Sequence, residues 1–519
     1  MATTVQTAGA MSAEKGSSRR RALSLTLVLA MASVALAVFW QTPGHNWGDD
    51  FAEYLLQAKA LLHGTPAQEL QVNARLMAAS DWRTGPDAYP WGYPAILALV
   101  MSAFGPGLAT LKIVSILSMG VITLAAGSLA YVSRLSLTSV LCVAIMVGMQ
   151  PDLISLGNDI GSDVVFLALT GVALLFAALT LDAELNGFSP ALRLWAQIIA
   201  AIFVSLSYFV RSNGAVTLIA IAASIVAVPM FSQRLEARKI AVSAAPFVLV
   251  CAVLIIAYHA LLPDGSVVHV GYLTAEPASL MRRTGAAIGA FGTFFPIFIL
   301  ATPLEHLAVL VLGILAVVGA RRLGRIGFLL ALYSVGHLVL VILFPFSGGQ
   351  RYYLPILFAV AVLAAGGVES LMRWAAMKWS VAGDRRVAIS FLTLFFIGAI
   401  TANLYRFDIR GGKTIDGPYS PAASELFAYI AEQSTAIEPV AFFKPRAMRL
   451  LGGKEAVLVR EIDSTRSVNS IAIFRGPEAA RWQLSGGQVA ALRDFRPTFR
   501  NEHFTFYVRT SRTTDRQER

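Results

Sequence analysis

Charge is scarce in this sequence. Charged residues make up only 14% of the 519 positions, against 56% apolar, and the mean hydropathy is +0.64. A soluble globular chain carries roughly 25% charge, so the composition argues against a water-soluble globule. Cysteine is nearly absent. Cys142 and Cys251 both lie in apolar stretches, which argues against a disulfide framework or a thiolate metal site and favours small buried apolar groups. The chain also lacks a Walker pattern, a glycine-rich strand-to-helix turn and any His/Cys metal spacing. His259 and His269 stand alone, and a lone histidine reads as structural.

What the chain has instead is long apolar runs. They fall at about 22–40, 109–132, 136–152, 162–181, 193–211, 213–231, 239–261, 303–320, 326–344, 352–371 and 387–404. About 20 apolar residues suffice to cross a bilayer, which gives about eleven spans. Two further pieces, 91–105 and 285–301, are ambiguous. The basic N-terminal segment Glu14 to Arg21 precedes the first run. That run is longer than a signal h-region and has no convincing small-residue cleavage site, so it reads as an uncleaved span after a cytoplasmic tail, 1–21.

Basic residues choose the topology. The net charge of +11 sits in clusters between apolar runs, as in cytoplasmic loops, and nucleic acid is not the expected partner. Eleven spans put Arg134, Arg193, Arg234/Arg238/Lys239, Arg321/Arg322/Arg325 and Arg373/Lys378/Arg385/Arg386 inside. Full crossing by 91–105 would turn Arg234, Arg238 and Lys239 outward. Residues 91–105 and 285–301 are therefore read as interfacial or re-entrant helices, and Tyr89-Pro90-Trp91-Gly92-Tyr93-Pro94 suits an interface. The outer face then holds loops 41–108, 152–161, 262–302 and 345–351, and the chain from about 405. In the last segment a helix is expected at Ser424–Gln433. Strands are expected at Val440–Phe443, Ala456–Val459, Ser470–Phe474 and Phe504–Val508, with a disordered tail from Thr510. The expected fold class is an all-α polytopic membrane protein with about 11 transmembrane helices plus interfacial helices. It carries a small α/β C-terminal extracytoplasmic domain, 405–519.

Charges at a membrane surface ask for a reason. Asn46-Trp47-Gly48-Asp49-Asp50-Phe51-Ala52-Glu53-Tyr54 opens an amphipathic helix with its acids in the first turn. Those acids either complement the helix dipole or do chemistry. Gly157-Asn158-Asp159-Ile160-Gly161-Ser162-Asp163 opens the run at 162–181, where Asp159 or Ser162 would serve equally as a cap. Arg211 and Arg351, the latter followed by Tyr352-Tyr353-Leu354-Pro355, share the carboxylates' expected face. Each is a snorkelling side chain or an anion ligand. Outer carboxylates supply a general base or a ligand for a divalent metal, and no other cofactor is indicated. With arginines for a phosphate and helices for a lipid tail, the set fits group transfer from a lipid phosphate.

These segments resemble the GT-C superfamily of membrane glycosyltransferases. The nearest group is the bacterial one containing aminoarabinose lipid A transferases, rhizobial lipopolysaccharide galacturonic acid transferases and protein O-mannosyltransferases. The resemblance is carried by Gly48-Asp49-Asp50-Phe51-Ala52-Glu53-Tyr54 with Ala58, Leu61 and Gly64. It continues through Tyr93-Pro94, Phe104-Gly105, Ser162-Asp163, Arg351-Tyr352-Tyr353-Leu354-Pro355 and Phe443-Lys444-Pro445-Arg446-Ala447-Met448. It implies a GT-C-like transmembrane domain over 22–404 with outer loop 41–108, and a periplasmic domain over 405–519. It implies a polyprenyl-phosphate sugar donor and a lipid, glycan or protein acceptor in envelope biosynthesis, such as that of lipopolysaccharide, at the bacterial inner membrane. Asp50 matches the family's base, four before the tyrosine, and Asp163 its second carboxylate. Many members have Asp-Glu where this chain has Asp50-Phe51, so Asp49 shares the candidacy. Arg351, Arg211 and Tyr352 are the expected donor-phosphate residues. A transporter or flippase remains the alternative, as does another lipid-phosphate transferase such as a polymer ligase. The few mid-span charges and lack of an internal repeat disfavour a transporter.

Overall fold

Backbone polar groups inside a bilayer find no water, so each apolar run must close its own hydrogen bonds, and helices result. The computed structural model describes residues 2–83, 85–186, 189–230, 237–263, 302–343, 350–379, 417–510 and scattered positions between 393 and 404. Among these, seven helices are long and apolar enough to span: Arg21–Phe39, Leu108–Val132, Ser162–Asp182, Pro190–Val210, Ala244–Leu261, Leu310–Leu343 and Arg351–Lys378. Leu137–Gly148 and Pro151–Gly157, bent by 51°, make an eighth if counted as one span.

The difference from eleven has local causes. Gly324 adopts φ 57, ψ −120 inside Thr302–Leu343 and breaks it into two helices, matching the separate runs at 303–320 and 326–344. The run at 213–231 forms Gly214–Met230, whose apolar part Gly214–Ala227 is short. The run at 387–404 falls largely outside the described residues, as do 285–301, most of loop 262–302, 344–349 and 511–519. The piece at 91–105 is the helix Gly92–Phe104, about 20 Å long at 1.5 Å per residue and too short to cross. The protein is an all-α polytopic membrane protein with a small C-terminal α/β domain.

The chain divides into two compact units. The first, 1–41, 112–260 and 270–412, holds the apolar helices. Its core runs through Leu129, Val140, Leu174, Ala178, Leu329 and Phe358. Helices Thr302–Leu343 and Leu357–Trp379 approach closely at two glycines. A Cβ on Gly319 would collide with the Leu363 carbonyl, and one on Gly367 with the Leu315 carbonyl. Small residues let helix backbones meet where lipid supplies no hydrophobic drive.

The second unit comprises 42–111, 261–269 and 413–519. Its sheet has the order β2-β1-β3-β5-β4. The strands are β1 (Val440–Ala441), β2 (Ala456–Val457), β3 (Ser470–Phe474), β4 (Phe495–Arg500) and β5 (Phe504–Arg509). β1 runs parallel to β2 and β3, and β5 pairs antiparallel with β3 and β4. Side chains alternate across the sheet. On one face Phe442, Phe474 and Phe504 meet Trp47 and helix Pro421–Glu432; on the other Ala441, Val457 and Ile471 meet Leu76. Residues 42–111 and the C-terminal segment thus share both faces of one core.

Candidate functional site

In the second unit the acidic segment forms helix Asp49–His63. It is closed by Gly64 in the left-handed region (φ 71), which gives its N–H to the Ala60 and Leu61 carbonyls. Asp49 is 5% exposed and accepts from the Arg446 backbone N–H at 3.2 Å. Asp50 is only half-buried and accepts a hydrogen bond from the Tyr89 hydroxyl at 2.6 Å. Gln57, two turns along the helix, clamps the Tyr89 backbone from both sides: Nε2 donates to the carbonyl at 2.9 Å, and Oε1 accepts from N–H at 3.1 Å. The Tyr54 ring packs 4.7 Å from that of Tyr89. Burial raises the Tyr89 phenol well above its ordinary value, with Asp50 adding to the effect, so the hydroxyl stays a donor.

Behind this pair lies Arg446, fully buried. It is the middle residue of the short helical turn Pro445–Ala447. Nε lies 3.3 Å from Glu53 Oε2 and donates to Asn73 Oδ1 at 3.3 Å; Nη2 donates to the Pro86 carbonyl. Its guanidinium also stands 5.5 Å from the Tyr89 ring centroid. Glu53 is fully buried, and neither oxygen accepts a hydrogen bond among the described residues. Burial pushes its carboxyl up to about 8, although Arg446 pulls the other way. Gly85 leaves room for the guanidinium, because a Cβ there would stand 2.7 Å from Arg446 Nη1.

In the first unit the structure brings two predicted residues together. Arg211, following helix Pro190–Val210, forms an ion pair with Asp163 at the start of Ser162–Asn186, and lies 3.4 Å from Ser162 Oγ. Asp163 thus holds an arginine rather than standing alone. Lys112, 1% exposed, donates to Asn158 Oδ1 at 3.1 Å, and Ser115 Oγ donates to the Asp159 carbonyl at 3.0 Å. His337 is buried beside Tyr333, with both ring nitrogens lacking a hydrogen-bond partner among the described residues.

Arg351 is exposed, its guanidinium 5.3 Å from the ring centroid of half-buried Tyr352. Both belong to a 3-10 turn, Gln350–Ile356, and the α-helix begins only at Leu357. Pro355 lies inside this turn and its carbonyl accepts from Tyr333 Oη at 2.7 Å. Among the described residues no cluster of three or more His, Cys, Asp or Glu side chains is arranged to hold a metal ion.

Sequence reasoning named Asp49, Asp50, Asp163, Arg211, Arg351 and Tyr352 but gave no role to Tyr89, Glu53, Arg446 or Lys112. Lys112 carried a usable signal, a charge inside an apolar run. Tyr89 did not, because its partners Asp50 and Gln57 lie 39 and 32 residues away, and Arg446 stood out only as part of the resemblance at 443–448.

No family model matches the sequence, and no curated protein resembles it closely enough to match. Solved structures do. ArnT from Cupriavidus metallidurans bound to undecaprenyl phosphate superposes with a TM-score of 0.52 at 10% identity, over 94% of this chain and 97% of that one. The oligosaccharyltransferase AglB from Archaeoglobus fulgidus, in complex with an inhibitory peptide and a dolichol-phosphate, gives 0.52 at 10% identity, covering 88% and 70%. The apo form of the Archaeoglobus enzyme gives 0.58 at 11% identity, over 87% and 69%. The chain thus shares its fold with these membrane proteins. Identity this low shows the shared fold alone.

Proposed function

We propose that this GT-C chain is a membrane glycosyltransferase that moves a sugar from a polyprenyl-phosphate donor to an envelope lipid, glycan or protein. The observation that carries the reading is likeness over nearly the whole of both chains to ArnT bound to undecaprenyl phosphate. The local chemistry supports it. Asp50 is half-buried, and Tyr89 holds one of its oxygens. A carboxylate so placed serves as general base, taking the proton of an acceptor hydroxyl as that oxygen attacks the anomeric carbon. Direct displacement inverts the anomeric centre, and the polyprenyl phosphate leaves as an anion needing no separate acid. Arg351, exposed at a helix entry, binds that phosphate through its forked donors. Arg211 is oriented by Asp163, which makes Asp163 a positioning residue in this scheme. Asp49 is occupied by Arg446, which favours Asp50 as the base.

The reaction belongs, in this reading, to the periplasmic face of a bacterial inner membrane. The test is mass spectrometry of envelope lipids and glycans from cells carrying the gene, lacking it, or carrying Asp50→Asn. One glycan modification should vanish in the last two strains. An unchanged envelope in both would sink the proposal, and loss only without the gene would remove Asp50 from the mechanism.

A further inference from the structure

The first unit holds a cavity of about 500 Å³ that the reaction above does not use. Among the described residues four arginines line it, Arg134, Arg322, Arg325 and Arg373, with one carboxylate, Asp182. The arginines come from three places, just past helix Leu108–Val132, the break at Gly324 and the late part of Leu357–Trp379, and Asp182 comes from the last turns of Ser162–Asn186. We propose that this cavity binds the phosphodiester headgroup of an anionic glycerophospholipid.

Within the first unit, the cavity sits at the opposite ends of the helices that begin near Lys112 and Asp163. Lys112 and Val132 are 20 residues apart on one helix, and Asp163 and Asp182 are 19 apart on another. At 1.5 Å per residue that is about 30 Å, the thickness of the hydrocarbon layer. The two places therefore face opposite membrane surfaces, and a ligand here is not the donor lipid bound at the other end.

Arginines at helix ends also occur merely to orient a chain in its membrane. Here they converge on one open cleft instead of scattering over loops. Internal carboxylates fix some of them. Arg134 pairs with Asp182 at 2.9 Å, and Glu369 pairs with Arg322 and, at 3.5 Å, with Arg373, and also accepts from the Ser136 backbone N–H at 2.6 Å. Among the described residues four arginines stand against two carboxylates, Asp182 and Glu369, an excess of positive charge that suits a phosphodiester. Large apolar side chains stay exposed beside Arg373: Leu371, Met372 and Trp374, at 47%, 61% and 50%. Such a flank suits acyl chains and gives a free anion nothing. Basic pockets between helices at one membrane surface are sites where anionic lipids are held.

The test uses full-length protein in detergent, titrated with dioleoyl phosphatidylglycerol, dioleoyl phosphatidylcholine or inorganic phosphate. Native mass spectrometry reads retained lipid, and a melting curve reads stabilisation. Phosphatidylglycerol should be retained and should raise the melting temperature, whereas the other two should do neither. Arg325→Gln with Arg373→Gln should weaken retention about tenfold or more, with the lipid-free melting temperature unchanged. Should that double variant fail to fold, exposed Arg373→Gln alone should still lower retention several-fold. Lys378→Gln, outside the cavity, should leave it intact. Equal retention of phosphatidylcholine, equal loss in Lys378→Gln, or no loss in either cavity variant overturns the proposal. Stabilisation by phosphate alone, matching that of phosphatidylglycerol, overturns the lipid as ligand.

Discussion

Asp49 and Asp50 are neighbours in sequence but face different partners, and that separates their expected roles. Asp49 is tied to the Arg446 backbone, whereas Asp50 is tied to a phenol and reaches solvent. Asp50→Asn should cost about 10²–10⁴-fold in transfer rate with no change in melting temperature. Asp49→Asn should lower stability first, by about 1–3 kcal/mol for a lost hydrogen bond to a charged group. The reverse pattern in a paired activity and melting assay would move the base by one residue. Arg351 makes a second comparison. Arg351→Ala should weaken polyprenyl-phosphate binding sharply, and Arg351→Lys should restore only part, since an ammonium lacks the guanidinium fork. Unchanged donor affinity with lost thermal stability would mark it as a structural partner. Glu53 gives a pH dependence. Its native value, about 8, lies above the ordinary 4.5, so the folded protein keeps a proton that the unfolded chain releases between those values. The stability it contributes is present below about 4.5 and lost as pH rises through about 8. Glu53→Gln should therefore raise the melting temperature at pH 8 more than at pH 5. An equal shift at both would show that the carboxyl does not titrate in this window.

At the scale of elements, close helix contact is the feature most exposed to mutation. Gly319→Ala places a methyl against the Leu363 carbonyl, and overpacking of this kind costs about 1–3 kcal/mol. The variant should melt earlier in detergent, while Gly313→Ala, with nothing within 4 Å of the new Cβ, should not. The same elements show what the sequence discloses. Apolar runs and helix entry signals were legible because they depend on neighbours in the chain. The helix at 49–63 and the parallel strand core at 440–441, 456–457 and 470–474 fall where pattern places them. β4 was not foreseen, because Arg496, Pro497 and Arg500 interrupt its apolar pattern. It is an outer strand paired only with β5, the place where proline is tolerated. Arg351 directly precedes the apolar run at 352–371, and a helix starting there would put a cation at the end whose dipole disfavours it. The 3-10 turn moves the helix start to Leu357, so the dipole argument weakens and its exposure becomes the stronger reason for a ligand role.

For the whole molecule, the legible part was the membrane pattern, and the hidden part was which distant segments share a core. Residues 42–111 read as a loop of the membrane domain, yet Trp47 and Leu76 fill the two faces of the C-terminal sheet. Glu69 accepts from Arg449 at 2.8 and 2.9 Å, and Asp81 accepts from the Arg460 and Glu461 backbones at 2.7 and 3.1 Å. A spacing of hundreds of residues leaves no local trace of such pairs. The sharing ties the two segments to one side of the membrane, so the topology can be tested at either. The arginines at Arg134, Arg322, Arg325 and Arg373 gather at one end of the spans, and the positive-inside rule assigns that end to the cytoplasm. One apolar run, 387–404, follows the last basic cluster, Arg373 to Arg386, so the segment after it is predicted to lie in the periplasm. Alkaline phosphatase, active only outside the cytoplasm, should be active when fused after Thr510 or inserted in the exposed turn at Asp81–Arg83. A cytoplasm-only reporter at the same positions should be silent. Activity of that cytoplasmic reporter at both positions would invert the assignment for the whole molecule. Activity at only one would contradict the shared core instead, because its two segments cannot fold together across a bilayer.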